Sequence, residues 1–275
     1  MPTSELGYQR TADEENLVRR LRVIREDGNA IGTDEISHLA AEIIKHIGSP
    51  DPELRDELGS TTLAEWIVER DALPSEQLLG FLRDRLGNEG IGFHLGESGA
   101  DSVFQRSFSL LVLALIVAAD NRREFLSRED LQQVAEGLIT YCKLESDFRS
   151  RVSKRGWAHA MAHAADLADE CMRNRNASRE LAGQIVEALA AMVQRSDRVF
   201  SGEEEERIAI ALTALTPKDS ASALKQWIDA HASQDEATRI NWKNIVRSLY
   251  FRTDESEMSA RLVLAALQEE LCIHG

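Results

Sequence analysis

The chain has 275 residues, of which 43% are hydrophobic and 29% are charged, a balance that is ordinary for a folded globular protein. Its formal net charge of −15 would repel nucleic acid and anionic membrane surfaces, so we expect neither as a partner. The cysteines Cys142, Cys171 and Cys272 are odd in number and have no CxxC spacing. This favours free thiols in a reducing cytoplasm over a disulfide framework.

No targeting segment is predicted. The N-terminal residues are polar and lack the apolar core of a signal peptide. The most apolar run, Leu110–Ala119, is about half as long as a membrane-spanning helix must be. We therefore expect this run to form a buried helix and the protein to be cytoplasmic.

Apolar residues recur at three- and four-residue spacing along almost the whole chain, which predicts an all-α protein of roughly a dozen helices. No alternating strand pattern is evident. In chain order, the predicted helices cover residues 14–26, 33–47, a short segment capped by Asp51, 61–70, 75–86, 102–119, 128–143, 156–173, 178–194, 203–215, 220–230, 237–251 and 256–271.

Residues 87–101 contain five glycines and form the longest stretch with no helical pattern. They are either a boundary between two halves or a loop within one domain that covers residues 1–275. We favour the loop, because helices resume at once and the composition does not change. The short connections favour antiparallel neighbours and predict a helical-repeat array, a HEAT-like α-solenoid, although no recurring residues mark the repeats. A closed bundle is the alternative.

The segment 141–170 concentrates the polar groups that could perform chemistry. If a helix begins at Gly156, four polar residues fall on one narrow stripe, at about 100° per residue, and alanine and methionine side chains occupy the opposite face. The stripe consists of His159, His163, Asp166 and Glu170.

The stripe has three interpretations. Two histidines one turn apart and the Asp166 carboxylate could ligate a divalent metal and leave a position for water, as metal-assisted hydrolysis requires. The spacing HxxxH lacks the intervening glutamate of zinc proteases, however. The same residues could instead line a metal-free ligand pocket, or they could form a solvated or packed helix face. We expect a pocket, in which replacing His163 by alanine costs little stability.

Two further features lie near the stripe. Four basic residues directly precede the predicted helix, whose free N–H groups attract anions: Arg149, Arg151, Lys154 and Arg155. One interpretation is an anionic ligand near Trp157, and the other is a solvated loop. Arg106 lies at the start of the apolar helix and must be paired if it is buried. The candidate partners of Arg106 are Glu145, Asp147 and Asp166.

Four motifs give the chain a resemblance to known proteins. They are RD-x-L at 55–58, F-x-RSFS at 104–109, E-x-D-x-R at 145–149 and GWAHA-x-AH-x-AD at 156–166. With these motifs the chain resembles the bacterial proteins catalogued as domain of unknown function 2785. The resemblance implies an all-helical, repeat-like fold and carries no activity. A glycine commonly follows the E-x-D-x-R arginine in that family, whereas this chain has Ser150.

The sequence thus predicts a binding module whose polar pocket around residues 156–166 takes a protein segment or a small anionic ligand, without a cofactor. The expected ligand-binding residues are Arg106, Asp147, Arg149, Trp157, His159, His163 and Asp166. The alternative is a metal-dependent hydrolase, in which His159, His163 and Asp166 hold the divalent ion.

Overall fold

A computed structural model of the chain describes residues 8–27, 31–230 and 235–271. Within these residues the protein has twelve α-helices, two π-helical segments and two short strands, which confirms the predicted all-α class. The predicted N-terminal tail lies largely outside the described residues, as do Gly28, with which the first helix was expected to end, and Cys272. The described cysteines, Cys142 and Cys171, are buried free thiols.

The N-terminal part contains the helices α1 Ala12–Glu26, α2 Thr33–Lys45, α3 Thr61–Ala64 and α4 Ser75–Leu86, with π-helical segments at Glu53–Ser60 and Glu65–Glu69 on either side of α3. The remaining helices are α5 Ser102–Arg122, α6 Arg128–Leu144, α7 Ala160–Arg173, α8 Arg179–Gln194, α9 Glu204–Leu212, α10 Pro217–Ala230, α11 Glu236–Arg252 and α12 Met258–Glu270. Between α6 and α7, the strands β1 Arg151–Val152 and β2 Gly156–Trp157 form an antiparallel hairpin.

Local sequence signals account for several helix starts. Thr11 and Glu14 form a capping box at α1, and Ser127 and Asp130 form one at α6. Ser178 caps α8 by accepting from the Leu181 N–H. Thr33 and Ser75 belong to residue types that commonly cap helices, but here they are the first helical residues of α2 and α4, and Gly32 and Pro74 occupy the N-cap positions.

The helices after the glycine-rich stretch form two layers. One layer contains α5, α7, α9 and α11, each packed on the next, and the other contains α6, α8, α10 and α12. The helices α5 and α7 run in the same direction, because Ser107 contacts His163 near their starts and Asp120 contacts Asn174 near their ends. The starts of α8 and α10 are likewise joined, by the ion pair of Arg179 and Asp219.

The predicted burial of the apolar helix is confirmed. By length and composition α5 could cross a membrane, but 72% of its most apolar window is buried inside the protein, as expected for a core helix. Buried apolar side chains form one cluster from Leu17 to Leu271, on both sides of the irregular residues 87–101.

The predicted start of the polar helix was wrong. The helix α7 begins at Ala160, four residues after Gly156. Lys154, Gly156 and His159 have φ angles of 63°, 76° and 51°, in the left-handed region that a right-handed helix excludes. Consequently Gly156 and Trp157 lie in the hairpin, and His159 is the N-cap residue rather than a member of a helical stripe.

Candidate functional site

The segment from Glu145 to His159, which we call the anchored loop, connects α6 to α7. Its first anchor is the buried pair of Arg106 on α5 and Glu145, both fully inaccessible to solvent. Arg106 Nε and Nη2 donate to the two carboxylate oxygens at 2.5 and 2.9 Å. Glu145 also accepts from the backbone N–H of Asp147 at 2.8 Å. Of the three candidate partners, Arg106 therefore pairs with Glu145.

The second anchor joins the loop to residues 99–100. Asp147 is fully buried, and it accepts from the Gly99 N–H at 2.9 Å and from Arg149 Nε at 2.8 Å. Arg149 Nη2 also donates to the Ala100 carbonyl at 2.7 Å. Burial would raise the pKa of Asp147, but the Arg149 guanidinium and the Gly99 N–H hold this pKa below its usual value. Arg149 is therefore occupied by protein groups.

The third anchor comes from Arg55 in the first π-helical segment. Its fully buried guanidinium donates from Nη2 to the carbonyls of Arg155 and Trp157, at 2.6 and 3.1 Å, and from Nη1 to the Ser49 carbonyl. It also lies over the Phe104 ring, with Cζ 4.0 Å from the centroid. The buried groups Arg106, Asp147 and Arg55 thus join the anchored loop to α5, to residues 99–100 and to the N-terminal part of the chain.

This loop holds His159 at the start of α7, where no side chain among the described residues caps the helix. The imidazole stacks on the half-buried Trp157 ring, with centroids 4.3 Å apart, and meets His163 edge-on at 5.6 Å. Its Nε2 is buried and has no hydrogen-bond partner among the described residues. A left-handed backbone at a non-glycine residue is strained, and such strain is concentrated at functional sites.

His163 is buried on α7 and is not part of a solvated face. Its Nδ1 lies 3.0 Å from the Ser107 carbonyl oxygen, and because a carbonyl only accepts, Nδ1 carries the proton. The ring also meets Phe108 edge-on at 4.7 Å. Burial, followed by the neighbouring His159, lowers the pKa of His163 to about 3, so the imidazole is neutral at physiological pH.

The helix α9 supplies the other side of the site. Arg207 donates to Asp166 at 3.0 Å, and burial raises the pKa of Asp166 although Arg207 opposes this shift. The buried Glu204 carboxylate accepts from the N–H groups of Ser201 and Gly202. A methyl group at Gly202 would lie 2.9 Å from His159 Nε2 and 3.0 Å from the Trp157 ring. The glycine therefore permits the backbone before α9 to lie close to both rings.

The sequence did not identify Gly202, Glu204 and Arg207, which lie about forty residues beyond the histidines and meet them only through the packing of α7 on α9. A weak signal existed. Ser201-Gly202 followed by four glutamates marks a helix start, and Glu203 has a left-handed φ of 66°, like His159. Both helices that face the site therefore have a strained residue at the N-cap position.

The predicted site residues separate into two groups. Trp157 and His163 each contact His159, and Asp166 on α7 is paired with Arg207 on α9. The remaining three, Arg106, Asp147 and Arg149, bond to the protein itself and support the anchored loop. Glu170 lies towards the other end of α7, where it accepts from Asn121.

The predicted metal-ligand set is not assembled. Among residues 8–27, 31–230 and 235–271, no group of three histidine, cysteine, aspartate or glutamate side chains is placed to hold a metal ion. Asp166 faces Arg207, and one nitrogen of His163 is committed to Ser107. Ser107 and Ser109 donate their hydroxyls to backbone carbonyls of α5, so neither is paired with a histidine as a nucleophile would be.

Two open grooves flank the outer side of α6, away from these residues. One, of about 940 Å³, lies between α6 and α8, and the other, of about 520 Å³, lies between α6 and residues 86–95. Glu136 and Thr140 line both. None of the predicted site residues lines either groove.

The structure defines an all-α protein in which a loop anchored by buried arginines presents a tryptophan–histidine stack at the start of a helix. The family model described as "Protein of unknown function (DUF2785)" matches residues 91–251, more than half of the chain, and the protein belongs to this family. The matched residues include the anchored loop, α7 and α9, whereas Arg55 lies before them. Searches of curated proteins and of solved structures find no match to the chain.

Proposed function

We propose that this protein is a binding module that takes a small anionic ligand, such as a phosphate ester or carboxylate, at the site around His159. One observation carries the proposal. His159 Nε2 is buried without a hydrogen-bond partner among the described residues, and a buried unpaired nitrogen costs free energy that a ligand would recover. The strained backbone and the anchored loop that hold the imidazole in place support the same conclusion.

Positively charged groups beside the tryptophan–histidine stack support an anion as the ligand. The Arg151 guanidinium lies 5.4 Å from the centroid of the Trp157 ring, and Arg207 is half-exposed beside Asp166. The uncapped N–H groups at the start of α7 add partial positive charge. A planar group on the ligand could stack against Trp157 while its anionic group meets His159.

Binding would be coupled to protonation. Burial lowers the pKa of His159, and the Glu204 carboxylate opposes this shift. A bound anion would also favour the imidazolium form, so affinity should rise as the pH falls.

We further infer that the two helix layers form a solenoid-like array, because α5, α7, α9 and α11 pack one on the next and α6 packs on α8 and α10 on α12, as in stacked helical repeats. The buried free thiols Cys142 and Cys171 support a location in the reducing cytoplasm.

The test replaces His159 by asparagine, a residue that tolerates a left-handed backbone, so the imidazole is lost without added strain. The matched control is His94→Asn, because His94 also has a positive φ, of 48°, but lies in the exposed 87–101 loop. Thermal unfolding of the parent and of both variants is measured with inorganic phosphate or phenyl phosphate, against sodium chloride of equal ionic strength.

At about ten times its Kd, a ligand should stabilise the parent by about 1.4 kcal/mol, a shift of a few degrees in Tm. We expect phenyl phosphate to stabilise the parent and His94→Asn equally, and to have no effect on His159→Asn. Equal stabilisation of all three proteins would indicate a general salt effect and refute the proposal. So would the absence of any stabilisation of the parent.

A further inference from the structure

The helix α11 carries a basic stripe that the site around His159 does not use. Arg239, Lys243 and Arg247 recur every fourth residue and so share one face of the helix, and Phe251 continues the same row. Arg239 and Lys243 are half-exposed, Arg247 is exposed, and Phe251 is 77% exposed. We call these four residues the α11 stripe.

The three cations of the α11 stripe form no ion pair within the part of the chain that the structure describes. Among the described residues, none of them has a carboxylate within 4.0 Å or a hydrogen-bond partner. Arg252 on the same helix provides a contrast, because it pairs with Glu206 at 2.6 Å. Burial raises the pKa of Glu205 on α9 and Arg247 opposes this shift, yet the two side chains form no ion pair. Three cations without an ion pair among the described residues thus share one face of a helix in a chain of net charge −15.

We propose that the α11 stripe binds a short acidic segment of a partner protein, with an apolar residue of that segment on Phe251. The spacing fits such a segment. Residues four apart on a helix rise about 6 Å, and alternate side chains of an extended chain are about 6.6 Å apart, so glutamates at alternate positions match the cations. The next side chain on the same face of the bound segment then lies on Phe251.

Charge also selects a short segment over a longer polyanion. The cations of the stripe span about 12 Å along α11, and surface charges act over about 10 Å at 0.1 M salt. A nucleic acid would extend its phosphates beyond the stripe, over a protein whose net charge repels them. An acidic segment with three or four charges stays within the stripe. This surface is independent of the site proposed around His159.

The probe is a fluorescein-labelled peptide with three glutamates at alternate positions followed by a phenylalanine, titrated by fluorescence anisotropy. The test variant replaces Arg239, Lys243 and Arg247 by glutamine. The matched control removes the same charge from three exposed helical arginines that form no ion pair in the described structure, namely Arg19, Arg83 and Arg128. The His159→Asn protein should bind the peptide as the parent does, which separates this surface from the other site.

We expect the test variant to bind the peptide about tenfold more weakly or worse, as the loss of three exposed charge contacts implies. Phe251→Ser should weaken binding as well, and the control triple variant should stay within about twofold of the parent. Circular dichroism verifies folding. If the triple variant does not fold, the single reversal Arg247→Glu replaces it, since Arg247 is exposed.

Several results would overturn the proposal. The parent protein could fail to bind the peptide, or the test and control variants could lose equal affinity, which would indicate net charge alone. A single-stranded oligonucleotide of equal charge, or vesicles rich in phosphatidylserine, could bind more tightly than the peptide in a stripe-dependent manner. Self-association of the parent in sedimentation, lost in the test variant, would assign the stripe to a second copy of this chain.

Discussion

Arg55 donates a hydrogen bond from Nη2 to the backbone carbonyl of Trp157, which lies 102 residues further along the chain. The same guanidinium serves the carbonyls of Ser49 and Arg155 and lies over two phenylalanine rings of α5. One buried side chain therefore joins the N-terminal part, the apolar helix and the anchored loop. The position of the tryptophan–histidine stack depends on this side chain.

Replacing Arg55 by leucine should destabilise the protein by about 3 kcal/mol or more, because one buried and two partly buried carbonyls lose their donor, at about 1–3 kcal/mol each. Denaturant unfolding measures the loss, and hydrogen exchange should show faster opening of residues 151–157. The control is Arg20→Leu, which breaks an exposed pair with Glu35 and should cost less than about 1 kcal/mol. Similar losses in the two variants would show that Arg55 is not an anchor.

Gly156 provides a test of the hairpin geometry. Its φ is +76°, and a methyl group there would lie 2.7 Å from Pro52 Cβ and 2.9 Å from an Asp56 oxygen. Gly156→Ala should therefore destabilise the protein by about 1–3 kcal/mol. Gly183→Ala should instead stabilise it by about 0.5–1 kcal/mol, because Gly183 is exposed within α8 and a new methyl group would have no atom of the described residues within 4 Å. The opposite signs of the two changes, measured by thermal unfolding, are the critical observation.

The buried pair of Arg106 and Glu145 should show strong coupling in a double-mutant cycle. Removing either partner alone leaves an uncompensated buried charge and should cost about 3–5 kcal/mol. The double variant Arg106→Met with Glu145→Leu should cost less than the sum of the two single changes, by about 1–3 kcal/mol. Additive losses would mean that the two side chains contribute independently, contrary to the bidentate geometry.

Much of the fold could be predicted because helical periodicity is local. The boundaries of α4, α6 and α8 were predicted to within a residue or so, as was the burial of α5. The need to pair a buried arginine also limited Arg106 to three candidates, of which Glu145 is the partner. The helix boundaries follow from the hydrophobic pattern, which is local in the sequence. The pairing of Arg106 follows from the free-energy cost of burying an unpaired charge.

The site itself was less predictable, because its geometry depends on distant contacts. The helical wheel drawn from Gly156 assumed a regular helix, but the anchored loop places Gly156 and His159 in left-handed conformations. Those conformations are held by Arg55 and by the Ser150 carbonyl, which accepts from the Ala158 N–H. Gly202 and Glu204 join the site only because α9 packs beside α7. No spacing within residues 141–170 indicates these contacts.

The structure revises the expectation that losing His163 would cost little stability. The imidazole is buried, donates to the Ser107 carbonyl and packs against Phe108. His163→Ala should therefore destabilise the protein by about 1–3 kcal/mol. Thermal unfolding without ligand measures this loss. An unchanged Tm would instead mean that His163 does not stabilise the fold, as expected of a residue that only lines a pocket.

The pH dependence of stability should also identify His163. Its pKa is about 3 in the folded protein and about 6.5 when unfolded, so between these values the unfolded chain binds more protons. The contribution of His163 is therefore fully present above pH 6.5 and is lost as the pH falls towards 3. The loss is about 1.4 kcal/mol per pH unit, or about 2 kcal/mol at pH 5.

A variant that cannot titrate at this position isolates the contribution of His163. His163→Gln keeps a hydrogen-bond donor for the Ser107 carbonyl but has no proton to gain. Denaturant unfolding at pH 7.5 and pH 5 should therefore show a loss about 2 kcal/mol smaller in the variant than in the parent. Burial also lowers the pKa of His159 and raises that of Asp166, and both proteins share these opposing effects, which cancel in the comparison. Equal losses in the parent and in His163→Gln would mean that His163 is accessible to protons in the folded protein, and the buried neutral imidazole would be refuted.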